Sequence, residues 1–273
     1  MSLRIDRPAP AGGAFSKALD AQMRVLSALM IREGITHYGH ENLGFFWVMG
    51  EPLVLSVGVM IMWAMIGMTH GHSEVGLVPF ALSSYTLLTL WRHIVNRSVH
   101  SLRNNASLLF HREVRVLDIL IARALLDALG TLAAFFVAYV PLCLFGAMDP
   151  LADPLLVIGA WALQGWFAFS VALLIAGLSE IFEAVEQFVG PLLYITLPIS
   201  GAFYLVDWLP SNLQTIVLWS PLVDINEMFR AGVFGPQVIR SDWSATFPAL
   251  CSLVITPIGL VVVRKSVSYV RIG

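Results

Sequence analysis

Six runs of apolar residues recur along the chain, at about 49–69, 76–98, 120–145, 154–178, 188–206 and 245–263. Each is close to the roughly 20 residues a helix needs to cross the hydrocarbon layer of a bilayer. Within that layer backbone polar groups are satisfied only inside a helix or a closed barrel, so runs of this length predict helices. The expected fold class is an all-α polytopic membrane protein with six transmembrane helices.

Two further segments are apolar without being long enough to cross. Phe15 to Met30 reads as an amphipathic helix, with Phe15, Ala18, Leu19, Met23, Leu26 and Met30 on one stripe and Lys17, Asp20, Arg24 and Ser27 elsewhere. A helix of this kind ahead of a first span lies in the membrane interface. Packing on a partner protein is the alternative. The stretch 207–244 holds two short apolar pieces, Leu213–Pro221 and Met228–Phe234, broken by Pro210, Pro221 and Pro236. They read as re-entrant or interfacial helices dipping from the outer side, with Trp208, Trp219 and Trp243 at interfacial depth. The layout is therefore a cytoplasmic N-terminus over 1–48, a six-span domain over 49–263 and a tail over 264–273.

Positive charge orients this layout. Five basic residues precede the first run, six lie between or at the ends of the second and third, and three follow the last, fourteen of the sixteen in all. Six spans put these fourteen on one side and leave Arg230 and Arg240 on the other, so both termini are cytoplasmic by the positive-inside rule. The stretch 179–187 falls on the same side with Glu180, Glu183 and Glu186 and no base. Acids weigh little in topology, so the orientation stands. Residues 1–14 contain no apolar core of the length a cleavable signal peptide needs, and the run near Met49 serves as its own insertion signal.

Composition agrees. Of 273 residues 58% are hydrophobic and 12% charged, with a mean hydropathy of +0.78. Soluble domains hold roughly 45–50% apolar and about 25% charged residues. A single-domain cytosolic enzyme, a nucleic-acid binder and a disordered regulator are excluded on that ground. Cys143 and Cys251 both sit in apolar runs and read as inert buried thiols.

Several motifs are missing. A phosphate-binding loop needs a lysine after glycine, and neither Lys17 nor Lys265 follows one. The chain therefore carries no ATP site of that kind. His37 with His40, and His70 with His72, each give two ligands, which is an incomplete metal site. No metal site and no catalytic residue is assigned.

Charges inside the runs narrow the candidates, because a charge at bilayer depth is costly and usually meets a cavity or a partner. Arg92, His93 and Arg97 occupy the cytoplasmic end of the second run, where they either snorkel to headgroups or contact an anionic cargo. Arg123 and Asp127 stand at i, i+4 and are able to pair on one helix face. Phe46 and Trp47 lie at the inner entry to the first run, where they fit an interfacial aromatic belt, and Trp63 lies within that run, while Tyr194, Phe203 and Tyr204 lie along the fifth. Aromatic faces stack on sugar rings, so these side chains suit a polysaccharide passage; ordinary helix packing is the alternative.

Three blocks, in order, resemble a known family. The run Leu43-Gly44-Phe45-Phe46-Trp47-Val48-Met49-Gly50-Glu51-Pro52-Leu53, preceded by Arg32-Glu33-Gly34-Ile35-Thr36-His37-Tyr38-Gly39, is similar to the start of type-2 ABC exporter permeases. More narrowly, it resembles the branch that exports capsular polysaccharide. Asn105-Ala106-Ser107-Leu108-Leu109, with Val114, Asp118-Ile119-Leu120 and Ala122-Arg123, forms the second block. Pro198-Ile199-Ser200-Gly201-Ala202-Phe203-Tyr204, Leu209-Pro210, Trp219-Ser220-Pro221-Leu222-Val223 and Met228-Phe229-Arg230-Ala231-Gly232 form the third. One departure is Asp224, where the family pattern leads us to expect histidine, so a role carried by that position does not transfer.

The resemblance implies a homodimer served by two ABC ATPase subunits on a separate polypeptide, which would bind the ATP and Mg. This chain itself would bind no cofactor. It also implies a coupling helix at about 101–113, through Ser101, Leu102, Arg103, Asn105, Leu108, Leu109, Phe110, Arg112 and Glu113. The stretch around Glu183 is a weaker second contact with the ATPase. The cargo would be a lipid-linked acidic polysaccharide, passed on to periplasmic co-polymerase-type and outer-membrane export proteins. Export of O-antigen, teichoic acid or another lipid-linked polymer is the nearest alternative. A membrane-embedded enzyme modifying a glycan or lipid, and a passive subunit of a secretion complex, are the alternatives from other classes.

Overall fold

The computed structural model describes residues 11–38, 54, 61, 75–99, 101–105 and 115–270. The first apolar run, with Phe46, Trp47 and Trp63, lies outside the described residues apart from Val54 and Ile61. Among the described residues the fold is all helical. Helices α1 (Ala11–Tyr38), α2 (Leu77–Ser98), α3 (Val116–Leu144) and α4 (Pro154–Ile181) are followed by α5 (Glu183–Ile199), α6 (Ser211–Val217), α7 (Pro221–Phe234) and α8 (Thr246–Val270).

Local chemistry sets these boundaries. Asp153 caps α4 by accepting from the main-chain N–H groups of Leu155 and Leu156 at 3.0 Å, and Pro154 takes the first turn, where its missing N–H costs nothing. At the start of α3 a capping box links Arg115 and Asp118. Pro221 begins α7 instead of breaking it, so the helix reaches seven residues further back than the apolar piece Met228–Phe234 predicts. Gly235, at φ 90°, ends it.

Among the described residues three helices are long and apolar enough to cross a membrane: α3, α4 and, over Thr246–Val267, α8. The chain is a polytopic membrane protein by that measure. Helix α2 has 22 residues but carries Arg92 and Arg97, and α5 has 17, ending earlier than the predicted run 188–206. The predicted loop between the fourth and fifth runs shrinks to Phe182, extended at φ −131° and ψ 109° between two helix ends.

Helices α4 and α8 form the tightest pair. A Cβ placed on Gly177 would meet the backbone of Val262 and Val263 at 2.8–2.9 Å, and one on Gly259 would meet Leu173 Cβ at 2.7 Å. Small residues permit such approach where lipid supplies no hydrophobic drive between helices. Hydroxyls join the same seam: Ser170 and Thr256 lie 2.8 Å apart, and Trp166 donates to Thr256 at 3.2 Å.

Helix α7 is buried from Leu222 to Val233 and packs against α4, where Gly232 sits on Val157. Helix α6, by contrast, has no buried residue. Helix α1 lies against α3, with Leu29 buried on Ile119 and Ala122 and with Val25, Leu26 and Met30 beside them. Leu19 and Met23 of its predicted stripe are exposed, as are Ile31 and Ile35. Its apolar residues thus divide between a protein face and an exposed one.

Candidate functional site

The end of the bundle rich in arginine contains the candidate site. Arg92, His93, Asn96 and Arg97, on the last two turns of α2, line a cavity of about 370 Å³ together with Gly190, Leu193 and Tyr194 of α5. Helical spacing brings each set together. On α2 the spacing i, i+1, i+4, i+5 gathers the polar residues on one side; on α5 the spacing i, i+3, i+4 does the same. Two guanidiniums, an imidazole and a carboxamide beside a tyrosine ring make a lining suited to a phosphate or carboxylate.

Behind the cavity lies a chain of buried charge. Arg97 pairs with Asp127 of α3, whose side chain is 1% exposed. Arg123 pairs with Glu33 of α1 at 3.2 Å and donates to the main-chain oxygen of Arg97 at 3.5 Å. The i, i+4 pairing of Arg123 with Asp127 expected from the sequence is therefore replaced by two pairings between helices. Each acid meets a base on a neighbouring helix, which joins α1, α2 and α3 at this end. Gln22 of α1 adds a hydrogen bond to Asp118.

The segment after α2 is only partly described. Ser101, Leu102 and Asn105 are buried, with Leu102 wedged among Leu120, Leu173, Ala176 and Val263. These three attach the segment to the bundle. Arg103 is exposed at the surface, and its guanidinium reaches Glu180 at the end of α4, at 3.0 Å. Asn105 accepts from Arg32 of α1 at 3.3 Å. Leu108, Leu109, Phe110, Arg112 and Glu113 lie outside the described residues.

Phe203 and Tyr204 do not line the cavity. They follow α5 in a turn at the other end of the bundle, where Phe203 packs edge-on against Tyr85, with ring centroids 5.7 Å apart. That end holds a fully buried ion pair. Arg230 contacts Glu227 at 2.9 Å, donates to the main-chain oxygens of Tyr204 and Gly201 and to the Ser84 hydroxyl, and lies 4.6 Å from the Phe80 ring centroid. Glu227 in turn accepts from Ser241 at 2.6 Å. Asp224, one turn earlier on α7, accepts from the Ser244 main-chain N–H at 3.2 Å. Burial raises its carboxyl to about 6, with the Ser244 bond opposing and the Glu227 charge adding to the rise.

Sequence reasoning missed Glu33, Glu180 and Glu227 as partners of Arg123, Arg103 and Arg230. For Glu227 the signal was present, because Glu227, just ahead of the apolar piece Met228–Phe234, and Arg230 within it stand at i, i+3, a spacing that pairs on a helix. The other two pairs join distant parts of the chain and leave no local trace.

Comparison with known proteins bears on this architecture. The ABC-2 type transporter family matches residues 24–234. The capsule polysaccharide export inner-membrane protein CtrC of Neisseria meningitidis serogroup B is 38% identical over 252 residues, 92% of this chain and 94% of that protein. The capsule polysaccharide export inner-membrane protein BexB of Haemophilus influenzae is 38% identical over 251 residues, covering 92% and 94%. The polysialic acid transport protein KpsM of Escherichia coli is 26% identical over 247 residues, covering 90% and 94%. With more than half of its length matched and relatives of this identity aligned almost end to end, the chain belongs to the ABC-2 type transporter family.

Proposed function

We propose that this chain is the permease subunit of an ATP-driven exporter that moves lipid-linked acidic capsular polysaccharide across the bacterial inner membrane. The names of the CtrC and BexB relatives support the cargo class, and the polysialic acid named for KpsM supports its acidity. ATP and Mg belong to a separate ABC ATPase, and two copies of the permease form the passage. Six spans with both termini cytoplasmic make the arginine-rich end the cytoplasmic one. Helices α6 and α7 then form the re-entrant segment at the outer end.

The observation that carries the mechanism is the cavity between α2 and α5. Arg92 and Arg97 receive the phosphate or sugar carboxylates near the lipid end of the cargo, with Tyr194 against a sugar ring. Helix α1, with exposed Leu19 and Met23, lies at the inner leaflet and borders the route of approach. The segment 101–113 docks on the ATPase and transmits its movement through Leu102 and Arg103. Periplasmic and outer-membrane export proteins take the polymer onward.

Deleting the gene tests the export reading. Lipid-terminated polysaccharide is expected to accumulate inside the cells while the surface goes bare; an unchanged surface would overturn the assigned cargo. Replacing Arg92 and Arg97 together by alanine tests the cavity. Surface capsule is expected to fall at least tenfold with the permease–ATPase complex still assembled, and undiminished capsule would remove the cavity from the mechanism.

A further inference from the structure

The charged side chains between α1, α2 and α3 stand in a row. Glu33 receives Arg123, Arg123 touches the backbone of Arg97, and Arg97 pairs with Asp127. A second cavity of about 10 Å³, the space of roughly one water molecule, is lined by Arg97, Arg123 and Asp127. The Oδ2 atom of Asp127 is buried and has no hydrogen-bond partner. Arg97 lines both this cavity and the 370 Å³ one, so a single guanidinium stands between an internal carboxylate and the space assigned to the cargo anion.

We propose that capture of an anion by Arg97 exchanges these ion pairs, with Asp127 as the positioning residue. Arg97 leaves Asp127 for the anion, Arg123 moves onto Asp127, and Glu33 is released, loosening α1 from α3. The inference rests on the cavity reading given above and adds its coupling to α1. Three observations carry it. A buried carboxylate stripped of its counter-charge is strongly unfavourable, so a second cation must replace the one that leaves. Arg123 is one turn away on the same helix, at a spacing that pairs readily, and lines the same small cavity as Asp127, whose Oδ2 has no hydrogen-bond partner. Glu33, whose side chain is 6% exposed, regains a compensating environment only through water, and water reaches it when α1 lifts from α3.

The test uses the permease–ATPase complex in nanodiscs of phosphatidylcholine, alone or mixed with phosphatidylglycerol as the anionic probe. Spin labels at Arg24→Cys on α1 and Leu125→Cys on α3 report the distance between the helices, with Cys143 and Cys251 replaced by serine. The anionic lipid is expected to lengthen and broaden the distance distribution. Asp127→Asn is expected to abolish that response, Asp127→Glu to keep it, and Glu33→Gln to give the longer distance in both lipids. A response that survives Asp127→Asn, or a Glu33→Gln variant that still needs the anion, overturns the exchange. An unresponsive parent protein overturns it too, while loss of capsule in an Arg97→Ala strain would leave the cavity reading standing. Normal capsule in that strain would overturn both.

Discussion

Glu180 holds Arg103 twice: one carboxylate oxygen accepts from Nε at 3.0 Å and the other from the main-chain N–H at 3.3 Å. The two residues lie 77 positions apart, and Glu180 is buried while Arg103 is exposed. The contact ties the segment after α2 to the junction of α4 and α5.

If that segment transmits movement from an ATPase, breaking the tie should separate hydrolysis from export. Glu180→Gln is expected to keep the complex assembled and hydrolysing ATP, with export several-fold lower. The measurement is capsule delivered per ATP hydrolysed in matched strains and purified complexes. An unchanged ratio would remove Glu180 from the transmission path.

The buried Arg230–Glu227 pair gives a stability prediction. Removing one member leaves a charge with no compensation, at a cost of about 3–5 kcal/mol. Arg230→Ala is expected to lower the melting temperature in detergent far more than Arg240→Ala, whose side chain is exposed. Similar losses from the two would mean that the inner pair is not an anchor for α7.

The α4–α8 seam predicts intolerance to a single methyl group. In Gly177→Ala the new carbon would meet backbone atoms of α8, which move only if the helices part. Overpacking of this kind costs about 1–3 kcal/mol. Gly165→Ala on the same helix, with open space around it, serves as the control and is expected to be near neutral. Thermal unfolding of the two variants in detergent compares them directly.

Asp224 predicts a pH dependence with a definite sign. Its carboxyl titrates near 6 in the fold, against an ordinary aspartate value of 3.8. The folded protein therefore binds the proton more tightly, and stability falls as pH rises from about 4 to about 6, then levels off. Asp224→Asn, whose amide oxygen still accepts from the Ser244 N–H, is expected to flatten that slope and to melt no lower than the parent at neutral pH. A parallel slope in both proteins would assign the titration elsewhere.

Much of the helical layout was legible because long apolar runs impose one structure on a chain in lipid. The second, third, fourth and sixth runs coincide with α2, α3, α4 and α8 to within a few residues at most boundaries, the extension of α8 to Val270 being the largest difference. The arrangement of Arg92, His93 and Arg97 was legible for the same reason, since one helix places them together. Pairing was less so. Arg123 pairs with Glu33 of another helix while the acid one turn away is taken by Arg97, and tertiary contacts of this sort have no local signature. In the stretch 207–244 the difference falls at Pro221: proline reads as a breaker in sequence, yet at a first helical turn it is an opening residue.

The one-residue joint at Phe182 has a geometric consequence. A helix turns by about 100° for each residue added. With no slack between α4 and α5, the length of chain at this joint sets the azimuth of α5. Gly190, Leu193 and Tyr194 meet Arg92 and Arg97 only at that azimuth. A single inserted residue would swing the α5 lining of the cavity off the arginines without touching any side chain in it. The connection from Phe145 to Asp153 has length to absorb such a change. Natural variation in length is thus expected to collect at 145–153 and to be purged at 182, a phase constraint that acts on spacing where composition is free to drift.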